Sequence, residues 1–159
     1  MTLLVSLKLL LFAASCLVCT TAHICLVYPH QRGSMADLNS VGAADCGLTE
    51  PPCGGRDTEM PKVFFELGEN VSIVYQKNAD HYLQQSPGTF VLSVAMYGEF
   101  NFQTLAEFPD TGTPSGTLYT PTVVMPRDFY DHAVLQLVYI TNNPAAPKAF
   151  YQCADFRLL

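Results

Sequence analysis

Polar and apolar side chains alternate most clearly over residues 89–97. Phe90, Leu92, Val94 and Met96 fall on one side of an extended chain there, with Val91, Ser93 and Ala95 on the other. This period of two predicts a strand. Residues 71–75, 123–125, 133–141 and 149–156 are short runs rich in β-branched and aromatic residues, and they read as further strands. Proline and glycine punctuate the gaps at Pro87-Gly88, across residues 109–116, at Pro126 and across residues 144–147. Residues 107–116 are expected to form a surface loop. Residues 33–61 are rich in Gly, Pro, Asp and Cys and are expected to form a long loop with at most a short helix. Nothing in the chain keeps a helical period. Many short strands separated by such turns predict an all-β sandwich. The chain has no tryptophan, so the Cys-Trp-Cys core of antibody domains is missing.

One apolar run does not fit that scheme. It extends from Leu9 to Cys19, after a single lysine, Lys8, and it is followed by small residues. A positive start, a short apolar stretch and small side chains before a cut read as a secretory signal peptide over residues 1–22. Thr20 and Ala22 satisfy the small-residue rule for a cut between Ala22 and His23. Cuts after Ala14 or Ser15 are the alternative. The run is too short for a comfortable membrane span, and the end of the chain, Asp155 to Leu159, carries no second apolar tail. A secreted, extracellular domain over residues 23–159 without a transmembrane or lipid anchor is expected.

The formal charge of −6 becomes one unit more negative once Lys8 is removed. An acidic protein has no general attraction for nucleic acid. Cys16 and Cys19 leave with the signal, and Cys25, Cys46, Cys53 and Cys153 remain. Four cysteines in an oxidising compartment imply two disulfides, with three connectivities open. Asn70-Val71-Ser72 is a glycosylation sequon. No nucleophile motif, phosphate loop or zinc-ligand spacing is present.

A cut before His23 creates unusual chemistry. The α-amino group titrates near neutrality, at about 7.7–8.0, so a metal competes for it. Amine and ring Nδ1 of one residue chelate an ion together, and a second imidazole would complete a three-nitrogen site of the kind that favours Cu(II). His30, His81 and His132 are the candidates. His30 reads as an exposed loop residue, His132 as a solvated strand end, and His81, in Asn78-Ala79-Asp80-His81-Tyr82, as a ligand presented between two strands.

His23, Tyr28-Pro29-x-x-Arg32-Gly33, Pro52-Cys53-Gly54-Gly55 and Tyr151-x-Cys153-Ala154-Asp155-Phe156 follow in this order. The ordered set resembles the copper acquisition factor family of fungal copper-binding proteins, relatives of the lytic polysaccharide monooxygenases, over essentially the whole of residues 23–159. The resemblance implies an immunoglobulin- or fibronectin III-like sandwich and one Cu(II) per chain in a histidine brace of His23 and His81. It also implies an acidic ligand, for which Asp155 is the candidate, with Asp80 and Tyr151 as competitors. It suggests disulfides Cys53–Cys153 and Cys25–Cys46. The chain departs from the family pattern at Cys25, where an aromatic or aliphatic residue is common, at His30 in place of a common proline, and in extra residues between Cys46 and Cys53.

Three functions follow from this reading. The first is a secreted monomer that captures or delivers copper without redox catalysis, passing it to a copper transporter or another extracellular copper-handling protein; a carboxylate ligand would hold Cu(II) against reduction. The second is a copper-dependent polysaccharide monooxygenase. The third is a metal-free recognition module on a sandwich fold.

Overall fold

The computed structural model describes residues 23–159; the expected signal peptide lies outside the described residues. Ten strands run in chain order: β1 (His23–Tyr28), β2 (Phe64–Phe65), β3 (Asn70–Ser72), β4 (Val74–Ala79), β5 (Thr89–Met96), β6 (Gln103–Pro109), β7 (Thr117–Tyr119), β8 (Thr122–Val124), β9 (Asp131–Ile140) and β10 (Ala149–Leu158). Two single 3-10 turns, Ala44–Cys46 and Cys53–Gly55, lie in the long early loop. The larger sheet has the order β2-β10-β9-β5-β6, a second is β1-β4-β7, and β3-β8 form a small two-stranded sheet. The protein is thus an all-β sandwich, as its hydrophobic pattern predicts. Among the described residues, no helix is long and apolar enough to cross a membrane.

The core follows from strand parity. Phe90, Leu92 and Val94 of β5 meet Tyr139, Leu137 and Leu135 of β9, and on β10 Phe150, Ala154 and Phe156 continue the same inner face. Ile24, Leu26 and Tyr75 close it from the second sheet, with the rings of Tyr75, Phe90 and Tyr119 in mutual contact, Tyr75 at centroid distances of 5.4 and 5.0 Å from the other two. The opposite face of the large sheet is also covered. There Val134 and Cys153 pack with Cys53 and Phe102, which explains why Ser93 and Ala95 are buried on what alternation alone would make a solvent face.

The disulfides are Cys25–Cys46 and Cys53–Cys153. The second ties the long loop to β10 on the outer face. Gly54 and Gly55 both hold positive φ, 68° and 69°, and a Cβ on Gly54 would strike Leu48. These constraints account for the Cys53-Gly54-Gly55 motif.

Two expectations change. The strand expected over 71–75 is split at Ile73, whose amide bonds to Pro121 O at 2.9 Å, and its second half continues as β4 through Gln76, Lys77, Asn78 and Ala79. The surface loop expected over 107–116 begins later, because β6 extends to Pro109 and Asp110 is buried.

Candidate metal centre

β1 and β4 pair antiparallel, with Leu26 opposite Tyr75, Cys25 opposite Gln76 and Ile24 opposite Lys77. The next pair is His23 with Ala79. One residue on β1 is therefore matched by two on β4, and Asn78 is the extra one. Such a β-bulge re-aims side chains. His23 closes the ladder opposite Ala79, with its ring between the loop residue Gly47 and the ring of Phe150.

His81 follows Ala79 by two residues, just past the end of β4, so both imidazoles stand at the same end of the sandwich. The His23 and His81 rings lie 6.3 and 6.4 Å from the Phe150 ring, at interplanar angles of 22° and 16°. Both histidines are buried, and Phe150 is fully so.

The surroundings of His23 are set by the loop that Asn78 holds. Asn78 Oδ1 accepts hydrogen bonds from the amides of Gly42 and Ala43 at 2.8 and 2.9 Å. Its Nδ2 approaches Leu38 O, Ser40 O and Gln76 Oε1 at 3.1, 3.0 and 2.9 Å. Gln31 and Gln152 both donate to Asp45 O, at 3.1 and 2.9 Å. These bonds bring Gly47 against the His23 ring so closely that a Cβ there would overlap Nε2 and Cδ2.

The segment carrying His81 is held at successive atoms. The Asp80 amide donates to Ser115 Oγ at 2.9 Å, and the Tyr82 amide donates to Asp80 Oδ1 at 2.9 Å. Asn143 Nδ2 donates to His81 O at 3.1 Å. The Tyr139 phenol lies within electrostatic reach of the His81 backbone. Burial, together with the Asp110 carboxylate, pushes the Tyr139 phenol far above the usual tyrosine range.

The structure does not bring Asp155 to this pair. Phe150 and Asp155 are five positions apart on β10, so they point to opposite faces and are separated by about 16 Å along the strand. Asp155 lies on the outer face, where its oxygens meet Arg32 Nε and Nη2 at 2.7 and 2.9 Å, the Glu59 amide at 3.0 Å and His132 Nε2 at 3.0 Å. Tyr151 shares that outward parity. Asp80 is next to His81, but its Oδ1 is 2.5 Å from Lys77 Nζ. His132 stacks on Tyr97 with centroids 4.4 Å apart, toward the other end of the sheet, and His30 Nδ1 lies against Gln31 O at 2.6 Å. Among the described residues, no group of three or more His, Cys, Asp or Glu side chains is arranged to hold a metal. Two imidazoles over an apolar ring remain. They are borderline nitrogen donors of the type copper prefers, so the donor chemistry fits copper.

The profile of the family described as copper acquisition factor BIM1-like matches residues 21–159. No curated protein sequence matches the chain. Among solved structures, the fold is similar to a polysaccharide monooxygenase CBM33 studied by X-ray photoreduction, at 18% identity and a TM-score of 0.61, covering 86% of this chain and 100% of that one. It is similar to the catalytic domain of LPMO Lmo2467 from Listeria monocytogenes, at 18% identity and a TM-score of 0.59, covering 86% and 99%. It is also similar to an AA10 lytic polysaccharide monooxygenase from Streptomyces lividans, at 15% identity and a TM-score of 0.55, covering 85% and 99%.

Proposed function

The chain belongs to the BIM1-like copper acquisition factor family, and from that premise we propose that it is a secreted protein holding one Cu(II) ion in a histidine brace. The donors are His23 Nδ1, the His23 α-amine released when residues 1–22 are removed, and an imidazole nitrogen of His81. The observation that carries this reading is the placement of the His23 and His81 rings 6.3 and 6.4 Å from one and the same ring, that of Phe150, and nearly parallel to it. Chelation by the amine and ring of one residue, with a second imidazole opposite, makes a nitrogen-rich site at the top of the Irving–Williams order. The role is extracellular copper capture and delivery by a monomer, passing the ion to a copper transporter or another copper-handling protein.

A second reading, copper-dependent oxidation of polysaccharide, gains support from Phe150. The carboxylate expected to hold Cu(II) against reduction is replaced beside the rings by an apolar face. Copper bound there would supply a one-electron couple, while the chain's own contribution is to orient two imidazoles and keep water from the Phe150 side.

Native mass spectrometry of the protein secreted by a eukaryotic host, with and without one equivalent of Cu(II), tests the proposal. A chain that starts at His23, carries two disulfides and retains one copper supports it. The same chain with His81→Ala should bind Cu(II) at least about 100-fold more weakly, equivalent to about 2.7 kcal/mol. Equal retention by the variant removes His81 from the site. Reductant-driven release of oxidised sugars from chitin or cellulose would decide for the second reading.

A further inference from the structure

Lys77 is fully buried on β4, with its side chain on the inner face beside Tyr75 and Ala79. A buried ammonium is costly unless it is paired and fully hydrogen-bonded. Its Nζ lies 2.7 Å from Asp110 Oδ1, 2.5 Å from Asp80 Oδ1 and 3.0 Å from Thr113 O, so each of its three donors has an oxygen. Asp110, equally buried, uses Oδ1 also to accept from the Gly112 amide at 3.0 Å and Oδ2 to accept from Tyr139 OH at 2.5 Å. The Tyr139 phenol in turn lies within electrostatic reach of the His81 backbone. Lys77 thus reaches the His81 segment by two routes. One runs directly through Asp80, the residue before His81. The other runs through Asp110 and Tyr139 to the His81 backbone itself. The Lys77 ammonium also stands 5.9 Å from the centroid of Tyr82, the residue after His81.

We infer that Lys77 is a positioning residue for the second copper ligand: its ammonium, clamped by Asp110 and Asp80, fixes the backbone that aims the His81 ring. This rests on the reading of His81 as a ligand. The core alone does not require the arrangement. An apolar residue at 77 would fill the same inner face without the cost of burying charge, as replacements of buried ion pairs by apolar groups often do. What the apolar residue would not supply is the link to Asp80 and, through Asp110, to the Tyr139 phenol beside the His81 backbone.

The test uses the secreted protein beginning at His23, with Cu(II) as the probe, and compares wild type, Lys77→Met, Tyr139→Phe and His81→Ala. Tyr139→Phe keeps the ring that stacks on Phe90 and removes only the hydroxyl, so it carries the test if Lys77→Met does not fold. The readouts are Cu(II) affinity by competition titration and the electron paramagnetic resonance spectrum of the copper, recorded where circular dichroism shows a folded chain. Lys77→Met and Tyr139→Phe should each weaken Cu(II) about tenfold and shift the copper hyperfine pattern. A role confined to packing would lower the melting temperature and leave the copper spectrum as in wild type, and that result in a folded variant overturns the inference. If His81→Ala itself binds copper with the wild-type spectrum, the reading of His81 as a ligand fails first and the inference falls with it.

Discussion

Arg32 grips both carboxylate oxygens of Asp155, through Nε at 2.7 Å and Nη2 at 2.9 Å, with both side chains buried. Two of the sequence motifs that carry the family resemblance, Arg32-Gly33 and Cys153-Ala154-Asp155, meet in this pair. The pair fastens the long loop to the outer face of β10. Removing one partner of a buried ion pair leaves the other uncompensated, at a cost of about 3–5 kcal/mol. Asp155→Ala should therefore lower stability by that order in urea denaturation and leave Cu(II) affinity within about twofold of wild type. A folded Asp155→Ala protein that has lost its copper would return this carboxylate to the metal.

Gly47 should be irreplaceable for copper and nearly neutral for the backbone. Its φ of −96° is open to any residue, and the first obstacle to alanine is the His23 ring itself. Gly47→Ala should displace that ring and weaken Cu(II) by about tenfold or more, or about 1.4 kcal/mol, with unchanged far-ultraviolet circular dichroism. Wild-type affinity would show that the ring relaxes without cost.

The two disulfides should separate stability from metal binding. Cys53–Cys153 closes a separation of 100 residues and Cys25–Cys46 one of 21. Loop entropy assigns them about 4–5 and about 3 kcal/mol. Replacing Cys53 and Cys153 by serine should cost more in chemical denaturation. Replacing Cys25 and Cys46 should cost more in Cu(II) affinity, because Cys46 precedes Gly47 and Cys25 is two residues from His23. An affinity loss confined to the first pair of replacements would reverse this assignment.

Stability should fall on the alkaline side. Burial holds the Tyr75 phenol neutral well above the usual tyrosine range. A group whose folded pKa is raised has its stabilising contribution complete below the unfolded value, here about 10, and loses it as pH rises beyond. Unfolding free energy should accordingly decline above about pH 10, with tyrosinate absorbance of Tyr75 appearing only as the chain unfolds. Tyr75→Phe should flatten that limb, and an unchanged slope would place the alkaline sensitivity elsewhere.

Asn70 is exposed on β3, opposite Val124, while Val71 between it and Ser72 points into the core. The sequon is thus presented on one outward face. Protein secreted by a eukaryotic host should carry a glycan removable by amidase treatment and absent from Asn70→Gln. A single unmodified mass in the untreated protein would show the site unused.

Strands with alternating or continuous apolar residues were legible in the sequence. The pattern over 89–97 and the runs over 133–141 and 149–156 mark the three central strands of the large sheet because burial there is decided by side-chain hydrophobicity. β4 was legible only to Tyr75, because Gln76, Lys77 and Asn78 look like solvent-facing residues. They are buried; Lys77 and Asn78 take hydrogen-bond or ion-pair partners from distant segments and Gln76 accepts from Asn78, and no local pattern encodes such partners. The histidine pair was within reach of chemical reasoning from the chain start. Phe150 was not, since it reads as one more core aromatic until strand register places it beside two imidazoles. Asp155 was read toward the metal because its motif pointed there; strand parity sends it to the other face. β6, with its partly exposed and polar residues, was legible only as a gap with turn residues, since its pairing with β5 is what makes it a strand.

The place of His23 as the first residue of β1 has one more consequence. β1 starts at His23, and the residues that anchor this strand in the core are Ile24 and Leu26. A chain trimmed by one residue at that point keeps both anchors, both disulfides and the whole β1–β4 ladder beyond its first rung. It would lose the buried His23 ring and some stability with it, yet still give the circular dichroism of a folded sandwich. A folded spectrum is therefore no check on the chemistry at this end. Two preparations that both look folded can differ completely in the residue placed beside Phe150, and the exact mass of the first peptide tells them apart.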